Sequence, residues 1–315
     1  MDKFHIKKIS EVNKEKLHQF YQNSFDYEKP VLEDYKWRYR SDLNEFEPLV
    51  LTINNEICGH AGLIPIKLKI DNKIKKAIWF TDFFIKTEHR SKGYGRKLTK
   101  EWMKICPIQI TLCNDKSLKV FKKLDWSSNN NFTRNIKFYN YLNIIPVFRN
   151  LKNSSQIQHN LENLKLEESN NKTLEKIIDF ENNITKKIVN IVRDENWFKW
   201  RINNCPYKRN IYIFSCGSIY LIAHIKIKNN LKILNIIYSS EPIDSNLIKK
   251  IYNFSKKNYI DYLTYISNQN TLVDFPVPWK RKLNFAFYAK DDSINNMLNK
   301  NLDDIQFIDS DIDYI

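Results

Sequence analysis

The chain has 315 residues, of which 42% are apolar and 14% aromatic, and it carries a formal net charge of +15. This length and composition predict a globular protein with enough chain for two domains, each with its own core. No run of about 18 apolar residues occurs and no apolar stretch follows the basic N-terminus, which argues against a transmembrane span and a secretory signal. We therefore expect a soluble, cytoplasmic protein.

The cysteines and histidines give no metal or disulfide pattern. Five cysteines is an odd number, no Cys-x-x-Cys pair occurs, and the six histidines are scattered. We expect neither a metal site nor a disulfide framework. The lysines are dispersed along a chain that is also rich in asparagine and isoleucine. We therefore attribute the positive net charge to the overall composition and do not expect nucleic-acid binding.

The first half alternates strand and helix patterns. A short strand is predicted at residues 5–10, followed by helical segments at 14–23 and 31–40. Two pairs of apolar runs then flank polar turns at residues 54–56 and 71–73, which predicts two hairpins. With the helices that follow, these elements predict a mixed α/β sheet.

The most informative segment is Arg90-Ser91-Lys92-Gly93-Tyr94-Gly95-Arg96, which lies between a strand pattern at residues 79–85 and a helix pattern at 97–105. A glycine-containing loop that opens a helix leaves main-chain N–H groups unpaired where the helix dipole favours an anion. The basic side chains add full positive charges beside those groups. The spacing Arg-x-x-Gly-x-Gly differs from the Walker loop and from the dinucleotide motif, so the segment predicts a phosphate site of another kind.

These residues resemble the pyrophosphate loop of the GNAT superfamily of acyl-CoA-dependent N-acyltransferases. A second match follows in the family's order. A strand at residues 108–113 leads into the helix that begins at Asn114-Asp115-Lys116-Ser117 and runs to Trp126, similar to the family's Asn-x-x-Ala helix and turn. The resemblance implies a splayed central sheet with flanking helices, acetyl-CoA or another acyl-CoA as cosubstrate, and a small-molecule amine as acceptor.

Carried over to this sequence, the resemblance assigns the cofactor contacts. Main-chain groups of Phe84, Ile85 and Lys86 would face pantetheine, and Asn114 would contact the pantetheine arm. The pyrophosphate would be held by the loop residues Arg90, Ser91, Lys92, Gly93, Tyr94, Gly95 and Arg96.

Two carboxylates are candidates for the base that deprotonates the amine. Asp82 lies in an otherwise apolar and aromatic run, where an unpaired carboxylate is costly and would resist ionisation; the alternative is a structural hydrogen-bond acceptor. Glu88 is either a base or a solvated loop residue. His60 is either an acceptor-side residue or a packing histidine.

The resemblance also brings Trp37 and Arg38 near the acceptor groove. Arginine between aromatic residues suits an oxyanion or a sugar ring, whereas the alternative is that Trp37 packs its helix onto the sheet. The chain departs from the family at Phe121, where a tyrosine commonly protonates the leaving thiolate. Leaving-group protonation therefore has no assigned residue.

The second half repeats the order of elements. Trp37-Arg38 has a counterpart in Trp200-Arg201, each at the end of an aromatic-rich helical segment, and strand and helix patterns follow in both halves up to a closing strand at residues 285–289. The place of the phosphate loop is taken by residues 239–244, which hold two acidic residues and no glycine. We predict a GNAT-like acyl-CoA-binding domain at residues 1–150 and a degenerate GNAT-like domain at 151–315.

Three functions remain open from the sequence. The first is an N-acyltransferase acting on a small amine, with an amino sugar or nucleotide-linked amino sugar of surface polysaccharide synthesis as the leading acceptor by resemblance. The second is a non-catalytic acyl-CoA-binding regulatory or scaffolding module, motivated by Phe121 and the degenerate second half. The third is an acetylase directed to RNA or protein by the basic surface. The oligomeric state is not predicted.

Overall fold

The computed structural model describes residues 3–25, 31–40, 43, 45–139, 160–161, 164–167, 171–183, 188–206, 210–268 and 279–309. The domain boundary predicted near residue 150 lies outside these residues and stays a prediction.

The described strands of the first half are β1 (Phe4–Lys8), β2 (Leu49–Ile53), β3 (Glu56–Ile70), β4 (Lys73–Ile85), β5 (Ile108–Cys113) and β6 (Ser127–Phe138). Those of the second half are β7 (Asn160–Leu161), β8 (Leu164–Glu167), β9 (Val189–Ile191), β10 (Ile211–Cys216), β11 (Ile219–Lys228), β12 (Leu231–Ser239), β13 (Tyr262–Ser267) and β14 (Trp279–Ala289). The described α-helices are α1 (Lys14–Ser24), α2 (Val31–Arg38), α3 (Tyr94–Met103), α4 (Asp115–Lys122), α5 (Asn171–Asn183), α6 (Glu195–Phe198), α7 (Ser245–Lys257) and α8 (Asp292–Asn301).

The strands form one mixed sheet in the order β1-β2-β3-β4-β5-β14-β6-β13-β12-β11-β10-β8-β7, and β9 pairs with the far end of β3. Among the described strand pairs, β4 with β5 and β12 with β13 are parallel, and the remaining pairs are antiparallel. The mixed sheet with flanking helices that was predicted from the sequence is confirmed.

The predicted hairpins are confirmed, and their turns explain the register. Each turn places two consecutive residues at positive φ, as a type I′ turn requires, and asparagine and aspartate adopt that conformation more readily than most residues. The three such turns in the described chain are Asn54-Asn55 between β2 and β3, Asp71-Asn72 between β3 and β4, and Asn229-Asn230 between β11 and β12.

The two halves exchange their closing strands. β14, from the C-terminal end of the chain, pairs with β5 of the first half, and β6 of the first half pairs with β13 of the second. β6 and β14 also pair with each other at the centre of the sheet. Strand β5 therefore has its second edge covered only through residues far along the chain. The sequence repeat predicted a closing strand but gave no sign of this exchange.

Helices cover the two faces of the first half with separate cores. On one face, Trp102 of α3 and Phe121 of α4 pack against Phe80 of β4. On the other face, Phe20 of α1 lies in the cluster that also holds Trp79, the neighbour of Phe80 along the strand. Successive strand residues point to opposite faces, so Trp79 and Phe80 of β4 contribute to different cores.

The tryptophans of the sequence repeat meet at the junction of the halves. The Trp37 indole Nε1 donates to the Trp200 carbonyl at 2.8 Å, and the Trp200 Nε1 donates to the Trp37 carbonyl at 2.6 Å. The Arg201 guanidinium lies over both rings, 5.6 Å and 5.0 Å from their centroids. The repeated motif thus forms a reciprocal clamp between α2 and the segment after α6.

We expect neither half to be stable alone, because each lacks the strand that covers its central edge. Expressed separately, residues 1–150 and 151–315 should be aggregated or unfolded by circular dichroism and gel filtration. Co-expressed, they should co-purify with the far-ultraviolet spectrum of the intact chain. A monomeric, cooperatively unfolding 1–150 fragment would contradict the strand exchange as a requirement for folding.

Candidate functional site

Strands β4 and β5 diverge part of the way along their length. They pair only at Ile78 with Gln109 and at Trp79 with Ile110, although both strands continue beyond these residues. At the first unpaired position, the Thr111 hydroxyl donates to the Phe80 carbonyl at 2.7 Å. The Thr111 hydroxyl thus supplies the hydrogen bond that the Phe80 carbonyl does not receive from the main chain of β5. The strands are therefore unpaired toward their carboxyl ends, and we call the region between these ends the β4–β5 cleft.

The predicted anion loop leads from the end of β4 to the start of α3. Ser91 and Gly93 have φ of +63° and +80°, whereas Lys92 between them is not at positive φ. Alternation of this kind turns successive N–H groups toward one side and forms an anion-binding concavity. No side chain caps the N-terminus of α3 at Gly93, so its first N–H groups remain open to a ligand.

The side chains around this loop divide into exposed cations and buried supports. Arg90, Ser91, Lys92 and Arg96 are exposed. Tyr94 is buried against Phe4, with ring centroids 5.9 Å apart, so it offers the loop only its main chain. A Cβ on Gly93 would have no heavy atom within 4 Å, whereas one on Gly95 would lie 3.3 Å from the Phe83 ring. Gly93 therefore borders open space and Gly95 packs on the strand.

Main-chain groups at the end of β4 are partly in use. The Lys86 N–H donates to the Cys58 carbonyl of β3 at 2.8 Å, so this N–H is already bonded within the sheet, and the predicted contact of Lys86 with pantetheine stays a prediction. Because neighbouring residues of a strand direct their main-chain groups to opposite sides, Ile85 faces the cleft. The Ile85 carbonyl accepts from Arg90 Nε at 2.8 Å, and the Arg90 guanidinium lies 5.4 Å from the Phe84 ring centroid. Arg90 therefore bridges the strand end and the loop.

A β-bulge centred on Asp82 interrupts β4 beside the cleft. The β3–β4 register shifts between His60 and Gly62, and Asp82 has a φ of +48°. Its side chain is 2% exposed and accepts two bonds from Arg38, at 2.9 Å and 3.1 Å, and one from the Tyr39 hydroxyl at 2.7 Å. The unpaired carboxylate expected from the sequence is thus a paired one. The base role of Asp82 stays a prediction, and the pairing favours the structural alternative.

His60 supports the same bulge from β3. Its Nδ1 lies 2.9 Å from the Asp82 carbonyl, which can only accept, so Nδ1 carries the proton and Nε2 accepts from the Tyr21 hydroxyl at 2.9 Å. The ring is fully buried, and this burial lowers the pKa of His60, which keeps it neutral. Burial also raises the pKa of Tyr21. This enclosure favours the packing alternative for His60, and its role on the acceptor side stays a prediction.

The other predicted site residues lie apart from this group. Glu88 is exposed on a single turn at Thr87–His89. The Asn114 side chain accepts from the Ser117 N–H at 2.9 Å and caps α4. The Trp37 indole is engaged by Trp200, so it is a junction residue here rather than an acceptor contact.

Phe121 lies within an aromatic core. It is 1% exposed, stacks on Trp126 at 4.6 Å and contacts Phe80 and Trp102 edge to face. Phe121 therefore packs against other aromatic side chains and has no proton to donate. Cys113, at the end of β5, does not replace it: burial raises the pKa of its thiol to about 12, far above that of a leaving thiolate.

A second divergence, which sequence reasoning missed, lies between β12 and β13. These strands pair from Ile233 with Tyr262 as far as Asn235 with Thr264, and a cavity of about 200 Å³ opens beyond the last pair. The Gln306 side chain enters it and pairs with both main-chain groups of Ser239, at 2.6 Å and 3.0 Å. The chain's own C-terminal segment therefore lines the cleft that corresponds to the β4–β5 cleft.

We expect His60 to make stability depend on pH. Its pKa is lowered in the folded state, whereas the unfolded chain binds a proton below pH of about 6.5. The stability that this residue contributes is present above that pH and is lost as the pH falls, by at most about 1.4 kcal/mol per unit. Urea unfolding at pH 7.5 and 5.5 measures this loss, which should be smaller in His60→Gln. An unchanged pH dependence in the variant would contradict a neutral buried histidine.

Comparisons with known proteins agree with this architecture. A family model described as an acetyltransferase (GNAT) domain matches residues 5–109. A GCN5-related N-acetyltransferase from Anabaena variabilis ATCC 29413 is 14% identical, with a TM-score of 0.61 over 90% of this chain and 72% of that one. The Saccharomyces cerevisiae N-myristoyltransferase with bound myristoyl-CoA is 11% identical, with a TM-score of 0.59 over 90% of this chain and 82% of that one.

At these identities the solved structures show a shared fold and no more. No curated protein sequence matches this chain significantly. Within the described ranges, no helix combines the length and apolar character needed to cross a membrane.

Proposed function

We propose that this chain is an N-acyltransferase of the GNAT superfamily, with an acyl-CoA donor and a small amine acceptor, because a GNAT domain model matches its residues 5–109. One observation carries the proposal: an uncapped helix N-terminus, with Gly93 bordering open space, stands at the mouth of two diverging parallel strands. An anion cradle beside a slot between strands suits a ligand with a diphosphate at one end and a thin chain at the other.

The residues present fit that donor. Main-chain N–H groups from Gly93 to Arg96 and the exposed cations Arg90 and Lys92 would hold the diphosphate. Ile85 would present its main chain to the amide-containing arm in the cleft. Thr111 would keep the cleft open, because its bond to Phe80 satisfies the carbonyl that β5 no longer reaches.

Bound acyl-CoA supplies a thioester, an acyl donor that an uncharged amine attacks directly. The chain must then orient the donor and remove a proton from the ammonium form of the amine. Asp82 and Glu88 remain the candidates for this proton transfer. We favour a positioning role for Asp82, since Arg38 and Tyr39 already occupy its oxygens.

The acceptor and acyl length are the finer parts of the proposal. An amino sugar or nucleotide-linked amino sugar is the first acceptor class to test, on the resemblance that the tandem arrangement and the Trp-Arg helices carry. The similarity to an N-myristoyltransferase that binds myristoyl-CoA adds long-chain acyl-CoA to the donors worth testing. The alternative function is a non-catalytic acyl-CoA-binding module, favoured by the hydrocarbon surroundings of Phe121.

Calorimetry and a free-thiol assay separate the two functions. We expect acetyl-CoA or a longer acyl-CoA to bind with micromolar affinity and to release CoA with at least one amine of a panel that includes amino sugars. Binding without release by any amine would support the module. Absence of binding at millimolar acyl-CoA would remove both.

A further inference from the structure

The positive charge of the chain is concentrated beside the proposed donor site. Residues 86–123 contain 11 lysines and arginines and 3 acidic residues, a net charge of +8 out of +15 for the whole chain. The corresponding segment of the second half, residues 240–267, contains 4 lysines and 3 acidic residues, a net charge of +1. Composition alone does not account for this difference, because both segments come from the same lysine-rich chain.

The charges share one surface. The aromatic cores of α3 and α4 touch through Trp102 and Phe121, so the two helices lie side by side on one face of the sheet. Their outer sides and the anion loop form what we call the basic face, whose exposed members are Arg90, Lys92, Arg96, Lys97, Lys100, Lys104, Lys116, Lys119, Lys122 and Lys123.

The basic face extends farther than a coenzyme requires. At 1.5 Å per residue, Lys104 lies about 16 Å along α3 from Gly93. A solvated charge at that distance is beyond the screening length of about 8 Å at physiological salt and adds little to phosphate binding at the helix start. Along α3, the Lys104–Glu101 pair is the one ion pair that the described residues make. The other exposed lysines of the basic face remain available to a larger anionic partner.

The chemistry of the face favours a protein over a nucleic acid. Its aromatic residues, among them Tyr94, Trp102 and Trp126, are buried beneath the helices and offer no stacking surface to bases. The cations beyond the loop are all lysines, on α3 and α4 or at their C-terminal caps, and such lysines suit carboxylates spread over a folded surface.

We propose that, besides acyl-CoA, this protein accepts an acyl group from an acidic carrier protein that bears it as a phosphopantetheine thioester and docks on the basic face. The inference rests on the proposed acyl transfer and names a second donor for the same site. The phosphodiester of the arm takes the cradle at Gly93, and the arm enters the β4–β5 cleft. The amine nitrogen then bonds to the acyl carbon, the carbon–sulfur bond breaks, and the thiol stays on the carrier with the proton that the amine gives up.

Charge reversal away from the cradle tests this docking. Lys119→Glu/Lys122→Glu alters α4, and Lys249→Glu/Lys256→Glu makes the same change on exposed positions of α7, the helix between β12 and β13. A labelled acidic acyl carrier protein, with and without its acetyl-phosphopantetheine arm, serves as the probe in fluorescence anisotropy. We expect the α4 variant to bind the carrier at least tenfold more weakly, its Kd for acetyl-CoA to stay within twofold, and the α7 variant to match the wild type in both.

The outcomes separate the two proposals. Absence of carrier binding at low salt, or equal binding by the α4 variant, would overturn the docking even if acyl-CoA is turned over. Tighter binding of an RNA duplex through the same lysines would also overturn it. Lysine-dependent carrier binding without turnover of either donor would support the docking and refute the transferase.

Discussion

Gly93→Asp is expected to weaken acyl-CoA binding at least a hundredfold without unfolding the protein. Gly93 has a φ of +80°, occupies the N-cap position of α3 and would direct a Cβ into open space, with no protein atom within 4 Å of that Cβ. The new carboxylate would stand where the diphosphate is proposed to lie, with its charge against the ligand's charge. A hundredfold loss corresponds to about 2.7 kcal/mol, a reasonable size for replacing attraction by repulsion at a helix N-terminus. Calorimetric titration with acetyl-CoA measures it.

Two variants control for backbone strain. Gly93→Asn has nearly the same shape, is uncharged and tolerates positive φ, so it should retain most of the affinity. Gly217→Asp makes the same change at a turn glycine with a φ of +62° that also faces open space, and it should lower the Tm like Gly93→Asp while leaving binding intact. If Gly93→Asp binds acyl-CoA as the wild type does, the cradle lies elsewhere.

Local signals made the fold and the anion loop predictable. The hairpins follow from the Asn-rich turns and the alternation of apolar residues, and the start of α3 follows from its glycines. Each of these signals involves only residues that are close in sequence. The Trp-Arg repeat also predicted two related halves, and this division of the chain stays a prediction. The repeat could not show that Trp37 and Trp200 would bond to each other, since that contact depends on how the halves meet.

The rest depends on long-range pairing that no local pattern encodes. β6 pairs with β13 and β14 pairs with β5, so each strand joins the other half of the chain. The apolar residues of these strands suit either pairing and do not predict the exchange. Asp82 looked costly because its neighbours in sequence are apolar, whereas its partner Arg38 comes from a helix 44 residues earlier. Likewise, no sequence pattern around Gln306 indicated that its side chain would line the second cleft and bond to Ser239.

The Arg38–Asp82 pair should carry the largest single contribution to stability near the site. Both side chains are nearly buried, at 11% and 2% exposure, so removing one partner leaves the other charge without compensation. Arg38→Met is therefore expected to lower the free energy of unfolding by about 3–5 kcal/mol, as for other buried pairs that are broken. Arg38→Lys should recover only part of this, because lysine keeps the charge but not the two-pronged geometry. Urea unfolding compares the three proteins.

Variants of the same pair distinguish the two roles considered for Asp82, positioning the bulge and acting as the base. Asparagine accepts a φ of +48° as readily as aspartate, so Asp82→Asn removes the charge and leaves the bulge sterically possible. If Asp82 positions the bulge, Asp82→Asn and Arg38→Met should lose turnover to a similar degree, with unchanged pH profiles. If Asp82 is the base, Asp82→Asn alone should lose the limb of the kcat/KM profile that reports deprotonation. Full turnover by Asp82→Asn at every pH would exclude both roles, since neither the bulge nor proton transfer would then need the carboxylate.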